Sequence, residues 1–393
     1  MRAVNWAPTF VKKMVVQIKM NKQVSPTLFQ PYRHFVVPLK NRIVMAPMTR
    51  SRAFNNFPND LMVEYYRQRT SAGLIISESI APSPDGLGYP RVPGIFNELQ
   101  TEAWSKITKV VHDGGSKIIA QLNHGGRLGS SVNLPAGARI VGPSAISANV
   151  DVWSDTEGFV KSDTPHELSR KEIQYVIEEF VTAARNAMAA GFDGIEIHAA
   201  NGYLLEQFLN PNSNTRTDQY GGSVKNRSRF AVELAEALAD AIGEERVGIR
   251  FSPYNTLGNL PHYDEINETY QLLATEMERV GILYVHLVDS VTRLDQQGDH
   301  LRQAIDNCFT AIRKCFKRSL ILNGGFTKEK AQKSINQKEA DLISFGTAFI
   351  SNPDLPLRLE HDLPLMDADR SCFYSPSEKG YIDYLDYQGF EGV

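Results

Sequence analysis

Cysteine is scarce in this chain, and no apolar stretch is long. Three cysteines, Cys308, Cys315 and Cys372, stand among 393 residues. So sparse and odd a set excludes a disulfide-built scaffold and suits a reduced, cytoplasmic protein. Cys308 and Cys315 are spaced so that one helix face can carry both, and the expectation is two buried or half-buried thiols, not a redox pair. No hydrophobic run approaches the ~20 residues that cross a bilayer. The first residues, 1–19, are mildly basic, and Lys12 and Lys13 interrupt their only apolar stretch, so they lack the core of a signal peptide. Residues 1–20 are expected to form a disordered extension that does no chemistry, leaving residues 21–393 as one domain. An excess of one charge is missing too. A net charge of −3 and a pI near 6.3 give no pull towards nucleic acid or anionic membranes. No low-complexity segment, no metal-ligand cluster and no repeat beyond a β-α unit stands out. The first strand candidate runs into Ala46-Pro47-Met48-Thr49-Arg50 with no GxGxxG, which argues against an open dinucleotide-binding sheet.

What is present is an alternation of short apolar runs with longer helical patterns, the signature of β-α units around a parallel sheet. The strand candidates are residues 42–46, 74–78, 117–122, 194–198, 247–251, 283–287, 320–323 and 342–345. They are nearly continuous in Val, Ile and Leu, as expected where helices cover the outer face. Helical patterns fill residues 60–72, 102–114, 170–190, 225–242 and 265–280, and several stop at a glycine: Gly73, Gly191, Gly243 and Gly281. Eight units predict an α/β fold, a single (β/α)8 TIM barrel with a long loop insertion after strand 3 at residues 128–165. In a barrel the chemistry sits at the C-terminal strand ends. Thr49, Gln121, His198 and Arg250 all fall there. The insertion is expected to form a lid or wall, and the aromatic-rich tail at 372–393 to fold back over one face. Monomer and homodimer both remain open.

The most informative stretch is HAANGYLLEQFLNPNSNTRTDQYGGSVKNRSRF, residues 198–230, which begins where the apolar strand 193–197 stops. It places His198, Asn201 and Tyr203 together. An imidazole and a carboxamide three positions apart can both donate hydrogen bonds to one oxygen, and a phenol two positions on can supply a proton. A lone histidine at a strand end is more often structural than catalytic. Its company here reverses that balance and points to reduction of an alkene activated by an adjacent oxygen-bearing group.

This stretch closely resembles the old yellow enzyme family, the FMN-dependent ene-reductases. Similar segments recur almost end to end: NRIVMAPMTRSRA at 41–53, SAGLIISES at 71–79, GYPRVPGIF at 88–96, QLNHGGR at 121–127, VGIRFSPY at 247–254, NGGF at 323–326, FGTAFISNPDL at 345–355 and FYSPSEKGYIDY at 373–384. The resemblance implies a bound, non-covalent FMN reduced by NAD(P)H, and a small-molecule alkene, enone, quinone or nitro compound as oxidant. It implies that His198 and Asn201 bind the activating oxygen, a contribution of ~3–4 kcal/mol per donor in comparable oxyanion sites, and that Tyr203 protonates the α-carbon. Arg250 is expected at the flavin N1–C2=O edge, Gln121 at the pyrimidine and Thr49 at O4, with Ala46, Pro47, Met48 and Ser79 walling the ring. Asn323-Gly324-Gly325 and Gly346-Thr347 are expected at the phosphate. Tyr89, Asn123, Leu257 and Tyr374 are expected around the substrate.

Two departures from the family pattern stand out. Many relatives carry arginine where this chain has Thr347, which implies looser FMN binding. Several carry tryptophan at the position of Asn123, so the pocket is expected to be wider. The first strand ends in MAPMT without a cysteine, which resembles the N-ethylmaleimide and nitroester reductase branch. A flavin-dependent isomerase or nitro-compound reductase on the same site, another type of FMN barrel, and a flavin-poor binding protein remain as rival readings.

Overall fold

Eight parallel strands close on themselves. The structure, a computed structural model, describes residues 27–34, 38–289 and 299–387, so the extension expected at 1–20 lies outside the described residues. The strands are β1 (Ile43–Met45), β2 (Leu74–Ile80), β3 (Lys117–Leu122), β4 (Gly194–Ala199), β5 (Val247–Phe251), β6 (Tyr284–Val288), β7 (Ser319–Asn323) and β8 (Leu342–Phe345). Each pairs with its sequence neighbour, and β1 pairs with both β2 and β8, which closes the barrel. Nearly every strand residue is buried, because side chains fill the barrel on one side and meet the helices on the other.

The helices at Asp60–Gln68, Glu98–Asp113, Arg170–Ala189, Val224–Ile242 and Ile266–Val280 match the helical patterns, and Asp299–Cys315 and Lys328–Asn336 add to the outer ring. Their starts are written in side chains. Asn59, Asn97, Ser223 and Thr327 cap backbone N–H groups, and Ser169 forms a capping box with Glu172. Asn97 moves the second helix start upstream of the expected residue 102. Gly281 ends its helix in the left-handed region at φ 87°. Gly73 does not serve as a helix cap. The first helix stops at Gln68, and a Cβ on Gly73 would lie 2.2 Å from the carbonyl oxygen of Asn41. Glycine is required there by close approach to the segment leading into β1.

The insertion after β3 is not wholly irregular. Asp151–Ser154 and Gly158–Lys161 form an antiparallel hairpin, and Val141–Gly142 pairs in parallel with His166–Glu167. Asn133 donates to the Gly88 and Trp153 carbonyls, and Arg91 ion-pairs with Asp155. The insertion is thereby fastened to the loop after β2. The described part of the tail, 372–387, is held by two buried arginines of the β1 loop. Arg50 donates to the Phe373 and Gly380 carbonyls, and Arg52 to those of Phe373 and Cys372. All three cysteines are free thiols, with Cys308 buried and its pKa pushed up to about 12 by desolvation. Among the described residues no helix is long and apolar enough to cross a membrane, and no group of side chains is arranged to hold a metal.

Candidate active site

His198, Gln121 and Arg250 are each the next-to-last residue of their strand, in β4, β3 and β5. Strand register then sets their neighbours. His198 lies beside Arg250, and Gln121 beside Glu196. Thr49 is different. Because β1 stops at Met45, Thr49 belongs to the following loop, half-buried with Pro47 and Met48.

The donors converge on the β4 end. The rings of His198 and Tyr203 meet edge to face with centroids 4.9 Å apart, and Tyr89 approaches Tyr203 at 6.4 Å. Burial, and then the neighbouring Tyr203, push the Tyr89 pKa well above the ordinary phenol value. Asn201 sits between His198 and Tyr203 in the left-handed region, at φ 57°, a conformation asparagine tolerates better than most side chains. Its N–H donates to Ser252 Oγ at 2.8 Å.

Glu206 holds that loop in place. Fully enclosed on the short helix Leu204–Leu209, it accepts hydrogen bonds from the Gly202 N–H, Ser252 Oγ, Tyr270 Oη and Asn255 Nδ2. Burial pushes its pKa up to about 7, and the four donors oppose that rise. Next to it, Gln207 links two loops. Its Nε2 donates to the Gly125 and Gly202 carbonyls, and its Oε1 accepts from the Arg127 N–H. Sequence reading missed Glu206, Gln207 and Ser252. The one available signal was a charged residue inside the buried LLEQFL turn directly after the donors.

Beside these donors runs a polar chain. Ser79 Oγ donates to Gln121 Oε1 at 3.0 Å, and Gln121 Nε2 donates to Glu196 Oε1 at 2.8 Å. His286 Nδ1 lies 2.9 Å from Glu196 Oε2. A register shift in β2 between Ile76 and Ser79 sets Ser79 opposite Gln121 and lets Ser77 Oγ accept the Gln121 N–H. A bulge re-aims a side chain in this way. Arg250 Nη2 donates to Asn323 Oδ1 at 3.1 Å, and Asn323 Nδ2 donates to the Ser344 carbonyl.

The phosphate candidates are glycine-built. Gly324 and Gly325 take φ values of 126° and 58°, so two successive N–H groups turn through a conformation closed to most side chains. A Cβ on Gly346 would meet only Met48 Sδ at 3.8 Å and Ala46 Cβ at 3.9 Å, which leaves a hollow beside the β1 loop. Thr347 opens the short helix Thr347–Ser351 and is exposed. Of the expected pocket residues, Asn123 is buried, with its N–H on the Ile80 carbonyl and its Oδ1 without a hydrogen-bond partner. Leu257 is packed by its backbone against Gly202, and its side chain is exposed, as is that of Tyr374.

Comparison with known proteins agrees with this arrangement. The NADH:flavin oxidoreductase / NADH oxidase family model matches residues 27–366. The chain is 39% identical to 12-oxophytodienoate reductase 1 of Oryza sativa subsp. japonica, covering 91% of this chain and 92% of the relative. It is 41% identical to a chanoclavine-I aldehyde reductase of Penicillium roqueforti, covering 91% and 95%. Among solved structures, morphinone reductase superposes with a TM-score of 0.86 at 37% identity, covering 94% of this chain and 98% of that one. The old yellow enzyme homologue of Zymomonas mobilis gives 0.83, also at 37% identity, covering 92% and 99%. The chain therefore belongs to the NADH:flavin oxidoreductase / NADH oxidase family, as an FMN-dependent (β/α)8 enzyme of the old yellow enzyme type.

Proposed function

We propose that His198 and Asn201 grip the oxygen of the activating group, and that Tyr203 delivers the proton, while this enzyme reduces activated C=C bonds at the expense of NAD(P)H. The observation that supports the reading is the edge-to-face contact of the His198 and Tyr203 rings at the end of β4, with Asn201 between them in the chain and Arg250 beside His198 in register.

The residues present fit FMN. Gln121 keeps one N–H and one lone pair beyond its protein contacts, which suits a pyrimidine edge that offers both kinds of group. Arg250 supplies a fixed cation, Thr49 a hydroxyl, and Gly324, Gly325 and Gly346 backbone N–H groups with no side chain in the way. When bound, FMN would supply hydride chemistry between NAD(P)H and the β-carbon of the alkene.

The chain's own side chains do the rest. His198 and Asn201 donate to the carbonyl or nitro oxygen, where negative charge accumulates as the β-carbon is reduced. Donors fixed in advance stabilise that charge without reorganising. Glu206 and Ser252 hold the Asn201 backbone and so contribute to that preorganisation. Tyr203 Oη gives its proton to the α-carbon. Tyr89 stays a phenol and closes the side of the site next to Tyr203. Asn123, small and with a free acceptor, leaves width for bulky rings. That fits relatives named for oxophytodienoate, morphinone and chanoclavine-I aldehyde. Enones, quinones and nitroalkenes are the substrate classes, and NADPH or NADH the reductant. Three free thiols favour a reducing, cytoplasmic setting.

The visible spectrum of the purified holoenzyme tests this. A flavin band that bleaches anaerobically with NADPH or NADH and returns on adding 2-cyclohexenone is expected. A band that bleaches but is restored only by oxygen would reject the ene-reductase reading.

A further inference from the structure

Glu196 has no part in gripping substrate, yet it is a carboxylate with no solvent exposure inside the barrel. Several groups from other strands of the barrel face it. Gln121 Nε2 donates to Oε1 at 2.8 Å from β3, and His286 Nδ1 lies 2.9 Å from Oε2, from β6. From the same strand, the Tyr284 ring lies over Gly248, where a Cβ would stand 2.3 Å from the ring. The Tyr284 phenol is pushed up by burial and then by the Glu196 charge. Burial alone would raise the pKa of Glu196, but His286, Arg250 and the Gln121 N–H together hold it below the usual carboxylate range. Burial keeps His286 below the ordinary imidazole range. Glu196 is thus held as a carboxylate, in hydrogen-bond contact with His286 Nδ1 and Gln121 Nε2.

Glu196 acts on two of the groups around it. A carboxylate only accepts hydrogen bonds, so it dictates that Gln121 turns Nε2 towards it, while Ser79 Oγ occupies Oε1. The amide is thus fixed at both ends. The buried negative charge also opposes Arg250 in a medium that screens poorly.

Resting on the reading that Gln121 and Arg250 face the flavin pyrimidine, we propose that Glu196 is a positioning residue that sets the Gln121 amide and holds the flavin potential down by offsetting Arg250. Reduction places negative charge at the edge of the flavin that Arg250 serves, and a second negative charge nearby disfavours that product. An enzyme tuned in this way gives up some ease of reduction by NAD(P)H and gains driving force for the alkene step.

The test uses the holoenzyme in three forms: wild type, Glu196→Gln and Glu196→Asp. Readouts are the FMN midpoint potential by spectroelectrochemistry, the FMN dissociation constant, and the two half-reactions by stopped flow. Glu196→Gln is expected to shift the potential to less negative values and slow reoxidation by 2-cyclohexenone. It should also weaken FMN binding roughly tenfold, the scale of one lost charge-assisted hydrogen bond. Glu196→Asp keeps the charge and shortens the reach, so it should retain a near-wild-type potential while still losing FMN affinity. An unchanged potential in Glu196→Gln, or an equal shift in Glu196→Asp, overturns the proposal. Should Glu196→Gln fail to fold, infrared difference spectra of the wild-type holoenzyme read the same charge. A carboxylate band displaced on flavin reduction supports the inference, and an unperturbed one overturns it. Failure of the site reading itself would show separately, as a Gln121→Leu variant whose FMN affinity and flavin spectrum match wild type.

Discussion

Tyr203 illustrates what one side chain contributes when its surroundings are fixed. A phenol is a weak acid near neutral pH, so its value as a proton donor rests on placement against the α-carbon. Placement here comes from the edge contact with His198 and from the turn in which the Tyr203 N–H meets the Ala200 carbonyl. Tyr203→Phe keeps the ring and removes only the hydroxyl. The reoxidation half-reaction with 2-cyclohexenone is expected to slow roughly 10²-fold or more, the usual scale for a general acid. Flavin reduction by NAD(P)H should change little. Stopped-flow measurement of each half-reaction decides it, and equal loss in both would mean that Tyr203 shapes the pocket and does not donate the proton.

The loop from Ala200 to Tyr203 and the short helix Leu204–Leu209 behave as one element, because Glu206 accepts hydrogen bonds from the loop, from two residues after β5 and from Tyr270. Its carboxyl has a folded pKa of about 7 against an ordinary value of 4.5. The folded state thus binds this proton more tightly than the unfolded chain does. Stability from this group is fully present below about pH 4.5 and is lost as pH rises through 7, by at most about 3 kcal/mol. Glu206→Gln removes the ionisation, so its unfolding free energy between pH 5 and pH 8 should fall less steeply than that of wild type. Parallel slopes in denaturant titrations would refute the assignment. The variant should also raise KM for the enone, since the Asn201 loop loses an anchor.

That element also marks the limit of what the sequence discloses. The eight strands were legible because runs such as VGIRF and KIIAQL are buried on both faces, and His198, Asn201 and Tyr203 were legible because they are adjacent in the chain. Glu206 was not, since its partners Ser252, Asn255 and Tyr270 arrive from elsewhere in the chain. Arg50 and Arg52 read as part of a loop motif and turn out to pin the tail, for the same reason. The hairpin in the insertion escaped notice because Asp151–Ser154 and Gly158–Lys161 are short and half exposed. Gly73 was read as a helix stop, when the residue that demands it is Asn41, far from that helix in sequence.

At the scale of the whole molecule, the barrel, the insertion and the tail share the C-terminal face, and FMN would bind among them. Binding to the folded state alone stabilises it in proportion to the logarithm of ligand concentration over the dissociation constant. The affinity of the phosphate site is therefore also a property of the global fold. That site offers the backbone of Gly324, Gly325 and Gly346, but Thr347 brings one hydroxyl and no charge. Lys328, three residues past Gly325 in the chain, is engaged by Asp362. A charge-assisted hydrogen bond to phosphate is worth roughly 1.5–3 kcal/mol, or on the order of 10- to 100-fold in affinity. Thr347→Arg, at an exposed position that a long side chain can occupy without displacing the core, should tighten FMN by about that factor. The increase in Tm that excess FMN gives the apoprotein should then be larger in Thr347→Arg than in wild type at equal FMN. The two apoproteins should melt together. If FMN binds both proteins alike, the phosphate charge is already met by another cation, and looser binding at Thr347 is the wrong reading of this departure.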